Sequence, residues 1–423
     1  MIAEERLIFR EQVTDRTRTD YLTHGLFPYP ARFIPQIPRY FIKEYMHNHH
    51  SLLDPFCGSG TTLVESRLLG YDSYGIELNP LGKLLTQVKT TPVDTTVLSA
   101  SLKGLRPYLT DRSVEPVIPD FPNRDYWFPA SVQDRLGRLR AYIYTVRDEP
   151  VRRLLLVCLV GIVRRCSNAD PRISKPVLTR RMKATLPKRQ TDPYDLFFDR
   201  VRKVNERIVT LSNFLEHDQA KATIIGDDAR KISLPDESVH LVVTSPPFVN
   251  AQEYFRVTKF EIWWAGLADV AQVHDLERRM IGVERVTGEE ASEMHLLRRK
   301  GLGRIDKAIR AVYAKDTRRA FVLYQYFSEI ETVLKEVRRV LDKDGKFAIT
   351  IGDNVIRKVP INTHELLIAL AEEVGFTTDR VGYDIIKTHS LAIKRNVTAG
   401  LMTREWAMVF SKDRSGSSRR NAA

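Results

Sequence analysis

Cysteine is scarce in the 423 residues: only Cys57, Cys158 and Cys166 occur, with no Cys-x-x-Cys pair and no Cys/His cluster. That spacing argues against a zinc site and a disulfide scaffold and fits a reducing compartment, the cytoplasm. Long apolar runs are missing too. The longest, Leu154 to Val163, is too short to span a bilayer and is bracketed by Arg153 and Arg164, so it reads as a buried helix. Met1 to Arg10 is charged throughout, unlike a secretory leader. No internal repeat is evident, and there is no Gly-x-x-x-x-Gly-Lys-Ser/Thr phosphate loop. Acids are nearly absent from one segment: between Arg152 and Arg189 eleven Lys/Arg face a single acid, Asp170. Much of the net charge of +13 therefore sits in one stretch. Polyanion binding is its natural reading, with a solvated basic face as the alternative.

What is present is a globular chain, 43% hydrophobic, long enough for one large domain with insertions or for two domains. Its organising stretch is Leu52-Leu53-Asp54-Pro55-Phe56-Cys57-Gly58-Ser59-Gly60-Thr61-Thr62. An apolar run, an acid, two glycines and a helix-like sequence read as strand, tight loop and helix. Glycines let the backbone approach a ligand where a Cβ would collide, and free amides at a helix start face that ligand. A second strand, Ser73 to Glu77, follows at βαβ distance and ends in an acid able to accept from ribose hydroxyls. The third glycine of a dinucleotide fingerprint is missing, which favours a nucleoside ligand without phosphates. Cys57 reads as packing.

This stretch resembles the first motif of the AdoMet-dependent amino-methyltransferases of DNA, Asp-Pro-Phe-x-Gly-Ser-Gly-Thr-Thr. The resemblance implies a Rossmann-like α/β methyltransferase fold, with a mostly parallel seven-stranded sheet and an antiparallel end. It also implies S-adenosyl-L-methionine as cofactor. Asp54, Phe56, Gly58, Gly60, Thr61 and Thr62 would surround its methionine part, and Glu77, with Leu78 and Asn79, its ribose. The aromatic, proline-set segment His24 to Pro35 precedes a helix expected from about Gln36. By the same resemblance Tyr29, Pro30 and Arg32 would line the methionine end; a packing loop is the alternative. Residues 1–23 read as a loosely held arm.

After Asn79-Pro80 the chain reads as helical, at Leu81 to Val88, Pro129 to Val146, Val151 to Arg165 and Tyr194 to Leu215. We read 81–219 as a basic insertion that grips DNA, through Arg164, Arg165, Arg172, Lys175, Arg180 and Arg181. Tyr126, Trp127 and Phe128 suit core packing or base stacking. Strand alternation resumes at Ala222 to Ala229, whose Asp227 and Asp228 both qualify, by resemblance, to accept from the adenine amino group. Next comes an apolar strand, Val239 to Val243, that delivers Thr244-Ser245-Pro246-Pro247-Phe248.

Ligands in open α/β sheets bind at the carboxyl ends of strands. Two prolines fix a rigid exit there and have no N–H of their own, leaving carbonyls to accept. Ser245 Oγ and the Pro246 carbonyl can each take one proton of an exocyclic amine, Pro247 stiffens the bend, and Phe248 can stack on a base. A duplex hides that amine, so the base would be flipped out. In the family, Ser-Pro-Pro goes mainly with cytosine N4, and Asp- or Asn-Pro-Pro with adenine or guanine. Methylation at cytosine C5 needs a cysteine nucleophile, normally after proline, and no Pro-Cys occurs. Asn250, Tyr254 and Arg256 are candidates for the base pocket or the DNA backbone. A second insertion, 268–319, carries the basic turn with Arg298 and Arg299. The catalytic domain is expected over 24–80 and 220–411, with Asp342 to Gly345 a turn, Lys346 to Asp353 a strand, an antiparallel pair near the end, and 411–423 a flexible tail. The resulting expectation is a site-specific cytosine-N4 methyltransferase acting on double-stranded DNA in a restriction–modification or defence system, with any nuclease encoded separately. Its rivals are an adenine-N6 enzyme, an RNA amino-methyltransferase and a non-catalytic DNA-binding protein.

Overall fold

A computed structural model describes residues 3–47, 51–186, 191–215, 219–249, 254–282, 305–386 and 403–413. In chain order the strands are β1 (Glu4–Arg6), β2 (Leu52–Asp54), β3 (Ser73–Ile76), β4 (Ala222–Gly226), β5 (Val239–Thr244), β6 (Leu341–Gly352), a small hairpin of β7 (Asn354–Ile356) and β8 (Val359–Ile361), then β9 (Phe376–Ile385) and β10 (Arg404–Lys412). Eight of them form one sheet in the order β1-β9-β10-β6-β5-β2-β3-β4. Only β10 runs antiparallel to its neighbours. This is the expected Rossmann-like methyltransferase fold. The strand order reverses between β2 and β5, so a crevice opens where Asp54 and Thr244 end them.

The sheet has one strand more than expected, and the extra strand corrects the reading of the N-terminus. Glu4 to Arg6 pair in parallel with Val381 to Tyr383. Leu7, Phe9 and Val13 then bury completely or nearly so. Residues 4–13 are thus docked, on an edge whose partner lies at the far end of the chain and leaves no local signal. A second correction concerns Asp342 to Gly345. They form no separate turn but a bulge inside β6, where Leu341 to Lys346 lie opposite only Val239 to Leu241. The antiparallel pair is present as β9 and β10.

The helices expected after residue 80 are found at Pro80–Thr90, Ala130–Thr145, Glu149–Cys166 and Pro193–Phe214. Three more in this region were missed: the short Arg124–Trp127 and Arg180–Thr185, and Thr95–Thr110, whose Asp94 cap accepts from Thr96 N at 2.7 Å. Its Ser, Thr, Gly and Pro content masks the period. The apolar Leu154 to Val163 run lies buried in the Glu149–Cys166 helix, capped by Asp148. That helix shares a core with Leu81 and Leu85 and with Phe260 and Trp264 of the Tyr254–Ala265 helix. The basic segment is therefore packed onto the two elements that flank the crevice. Among the described residues no helix is long and apolar enough to cross a membrane.

Candidate active site

The glycine loop connects β2 to the Thr61–Leu68 helix. Gly60 caps that helix at φ +77°, and a Cβ there would stand 2.7 Å from the Thr86 side chain and 3.0 Å from its Cα. Conformation and space both demand glycine. Gly58, at φ +54°, turns its carbonyl to Thr86 Oγ1 at 3.2 Å.

Asp54 does not face the crevice. Its Oδ1 accepts from Thr244 Oγ1 at 2.6 Å and Phe56 N at 3.0 Å, and its Oδ2 from Thr62 Oγ1 at 2.6 Å. The carboxyl is fully buried, and burial pushes it up to about 6 against the pull of these three bonds. Asp54 is thus a brace: it ties the loop, the helix start and the residue before Ser245 into one unit.

A cleft opens beside this unit. Of the expected cofactor residues, Tyr29, Pro30, Arg32, Phe56, Gly58, Thr61, Glu77, Leu78, Asn79, Asp227 and Asp228 line it, and Ser245 and Pro247 line it as well. Gly58 and Ser245 thus share one cavity. Asp54, Gly60, Thr62, Pro246 and Phe248 stand outside the lining; Phe248 instead packs on the core beneath the sheet. Sequence reasoning missed Ser59, Arg279, Met280 and Ile281, which also line the cleft. The last three close the Val270–Arg279 helix, far from any motif.

Glu77 sits at the end of β3. Its Oε1 accepts from Asn79 N at 2.6 Å, and burial raises the carboxyl to about 7. A Cβ on Gly82 would meet Glu77 Cγ and the Gly58 carbonyl at 2.8 Å each, so the Pro80–Thr90 helix packs tightly under both. Asn79 caps that helix, accepting from Leu81 N at 3.0 Å, and reaches Thr258 Oγ1 at 3.2 Å. The two acids after β4 differ in use. Asp228 is held by Arg230, which also meets Glu329 at 2.7 Å. Asp227 faces Arg279 across the cleft wall at 2.9 Å.

The pocket loop is anchored from below. Ala31 adopts φ +52°, and Arg32 donates to the His24 carbonyl. His24, Tyr21 and Arg39 converge on the buried carboxylate of Glu65, in the helix after the glycine loop, at 2.6, 2.5 and 2.9 Å. Tyr254 lines the cleft opposite, at the start of its helix. Asn250 lies outside the described residues.

The basic residues separate by use. Arg164 is turned inward, donating to Ser174 O at 2.9 Å and to the Val257 carbonyl, with Glu261 at 3.5 Å. Arg172 is paired with Asp170. Lys175 is half-buried, and Arg165 and Arg256 are exposed. Arg180 and Arg181 stand exposed on the short Arg180–Thr185 helix. Arg298 and Arg299 lie outside the described residues. Of the three aromatics at 126–128, Phe128 is fully buried while Tyr126 is 52% exposed.

Residues 8–83 match the family model described as DNA methylase. Over 376 residues the chain is 25% identical to the type II methyltransferase M.MvaI of Kocuria varians, covering 84% of this chain and 82% of that one. It is 37% identical over 98 residues to the type II methyltransferase M.MjaII of Methanocaldococcus jannaschii, covering 22% and 18%. Among solved structures, a SAM-dependent methyltransferase of Methanosarcina mazei matches with TM-score 0.33 at 11% identity, over 92% of this chain and 99% of that one.

Proposed function

We propose that this chain is an AdoMet-dependent DNA methyltransferase that modifies the exocyclic N4 amino group of cytosine at specific sites. The observation that carries the reading is the shared cleft: Gly58 and Ser245 line it together, and Asp54 bonds to the glycine loop and to Thr244 at once. The cleft suits the cofactor because Gly58 brings backbone to its wall and Glu77 offers a carboxyl in the same lining.

S-adenosyl-L-methionine, when bound, supplies an electrophilic methyl group. Tyr29, Arg32, Ser59 and Thr61 would hold its amino-acid end, Glu77 its ribose, and Asp227 with Arg279 the base end. The rest falls to the chain. Ser245 Oγ and the Pro246 carbonyl accept hydrogen bonds from the two amine N–H groups and turn the nitrogen lone pair out of the ring; as the C–N bond forms and the sulfonium C–S bond breaks, the methylated nitrogen gives up one proton to water. Neither proline needs a partner for an N–H, so the bend holds still while the base is presented. Positioning and local electrostatics then carry the rate, with no covalent intermediate. Serine in place of an acid at this position favours cytosine over adenine. The target base is flipped out of duplex DNA held against Arg180 and Arg181. The proposal extends to a cytoplasmic restriction–modification or defence role, with a separately encoded nuclease.

Incubation with labelled AdoMet and mixed-sequence duplex DNA, then hydrolysis to nucleosides, tests the reading. Label in N4-methylcytosine is expected. Label only in N6-methyladenine rejects the base, label only with tRNA or rRNA rejects the substrate, and no AdoMet binding rejects the activity.

Two further outcomes follow. Glu77 is protonated below about 7 and charged above it. Hydroxyl donors prefer the charged form, so AdoMet affinity should rise with pH through that value and then level off. Calorimetry between pH 5.5 and 8.5, approximate limits of a folded protein, measures this; Glu77→Gln should flatten the profile. Replacing Arg180 and Arg181 together by Ala should weaken DNA binding uniformly across sequences. It should also reduce the salt slope by about two, one per lost phosphate contact. An unchanged slope in a filter-binding titration would remove the Arg180–Thr185 helix from the interface.

A further inference from the structure

Lys89 is a fully buried lysine at the end of the Pro80–Thr90 helix. Its ammonium donates to Ser59 O at 2.7 Å and Ser59 Oγ at 3.1 Å. Thr23 Oγ1 holds its backbone carbonyl at 2.9 Å. Ser59 is the middle residue of the glycine loop and lines the cleft, as does Arg32. Among the described residues no carboxylate pairs with Lys89; the charged neighbour that acts on it most is Arg32, a like charge. Burial and that guanidinium push the lysine well below its usual range. Both Ser59 oxygens occupy two of its donors and leave one unused. A buried cation without a counter-charge is costly, and in a closed core a methionine would fill the same space. The cost is offset if an anion enters the cleft on the far side of Ser59.

Resting on the proposed function, we infer that Lys89 is the positioning cation for the carboxylate of the cofactor's amino-acid moiety. It acts through Ser59 and alongside Arg32. The arriving carboxylate offsets the burial that disfavours the charged amine, and the bond from Lys89 to Ser59 Oγ directs the serine hydroxyl hydrogen towards it. The ligand chemistry is that of an α-amino acid joined through sulfur to a nucleoside. A nucleoside thioether without the amino-acid end would gain nothing from Lys89.

The test compares two ligands by calorimetry on the full chain. S-adenosylhomocysteine carries the amino-acid end, and 5′-methylthioadenosine lacks it. Lys89→Gln keeps an N–H donor for Ser59 and removes the charge; Lys89→Met removes both. The preference of the wild type for S-adenosylhomocysteine should fall by about tenfold or more in each variant, the weight of one charge-assisted contact. Binding of 5′-methylthioadenosine to Lys89→Gln should stay unchanged. Equal loss for both ligands would reduce Lys89 to a fold-supporting residue, and an unchanged preference would assign the carboxylate to Arg32 alone; either overturns the inference. A wild type that binds neither ligand would instead reject the cofactor reading itself.

Discussion

Ser245→Ala should lower turnover by about 10²-fold or more, the usual cost of removing one preorganised polar contact to reacting atoms. AdoMet affinity should be unchanged. Ser245 lines the cleft, and the described bonds that hold the loop run through Thr244 and Asp54 rather than through it. Among the described residues no hydrogen bond engages its hydroxyl, which suits a substrate proton. The amine nitrogen of a nucleobase is a poor nucleophile because its lone pair is shared with the ring. Only a geometry that takes both its protons in fixed directions releases that pair. Alanine leaves the Pro246 carbonyl as the lone acceptor and lets the amine rotate back into conjugation. Single-turnover methylation on duplex DNA, read beside AdoMet calorimetry, measures both halves. A Ser245→Ala enzyme running at full speed refutes the role given to the hydroxyl.

The other large effect is expected at Asp54, by a different route. Asp54→Ala removes a buried carboxylate that three donors share, Thr244 Oγ1, Thr62 Oγ1 and Phe56 N. Each orphaned buried donor costs about 1–3 kcal/mol, so a loss of at least about 3 kcal/mol is expected, allowing for relaxation of the two hydroxyls. Because β2 and β5 are joined through this side chain, the glycine loop and the Ser245 loop should also lose their mutual register. Cofactor affinity and turnover should then fall together, unlike the selective loss at Ser245. Asp54→Asn keeps the acceptor for Thr244 and Phe56 and should be much milder. Thermal melting of the three proteins, with calorimetry, decides it. Equal stability of Asp54→Ala and wild type would show that the brace carries no load.

Much of the site was legible because it is local. Gly58 and Gly60 announce a turn by residue type alone, Glu77 follows at the distance that a βαβ unit imposes, and two prolines after an apolar strand announce a rigid bend. The docking of residues 4–13 was illegible, because the partner of β1 is β9, some 375 residues later at Glu5 and Arg380. The bulge of Asp342 to Gly345 was read as a turn because Asp, Lys and Gly suit either. The division of the arginines was also hidden. Arg164 and Arg180 look alike in a charge count, yet one is turned inward to Val257 and Glu261 and the other stands in solvent.

The sequence by itself determined the backbone conformations that need special residues, the strand–loop–helix runs that border the crevice, and the chemical types present along it. These depend on interactions within a few residues, where sterics and periodicity speak directly. Only the tertiary structure decided which carboxylate is a brace and which faces the cleft, that Arg279 closes the wall beside Asp227, and that Lys89 lies buried behind Ser59. Those facts are set by contacts between distant segments, and a polar side chain carries no mark of whether its partner will be solvent, another strand or a ligand.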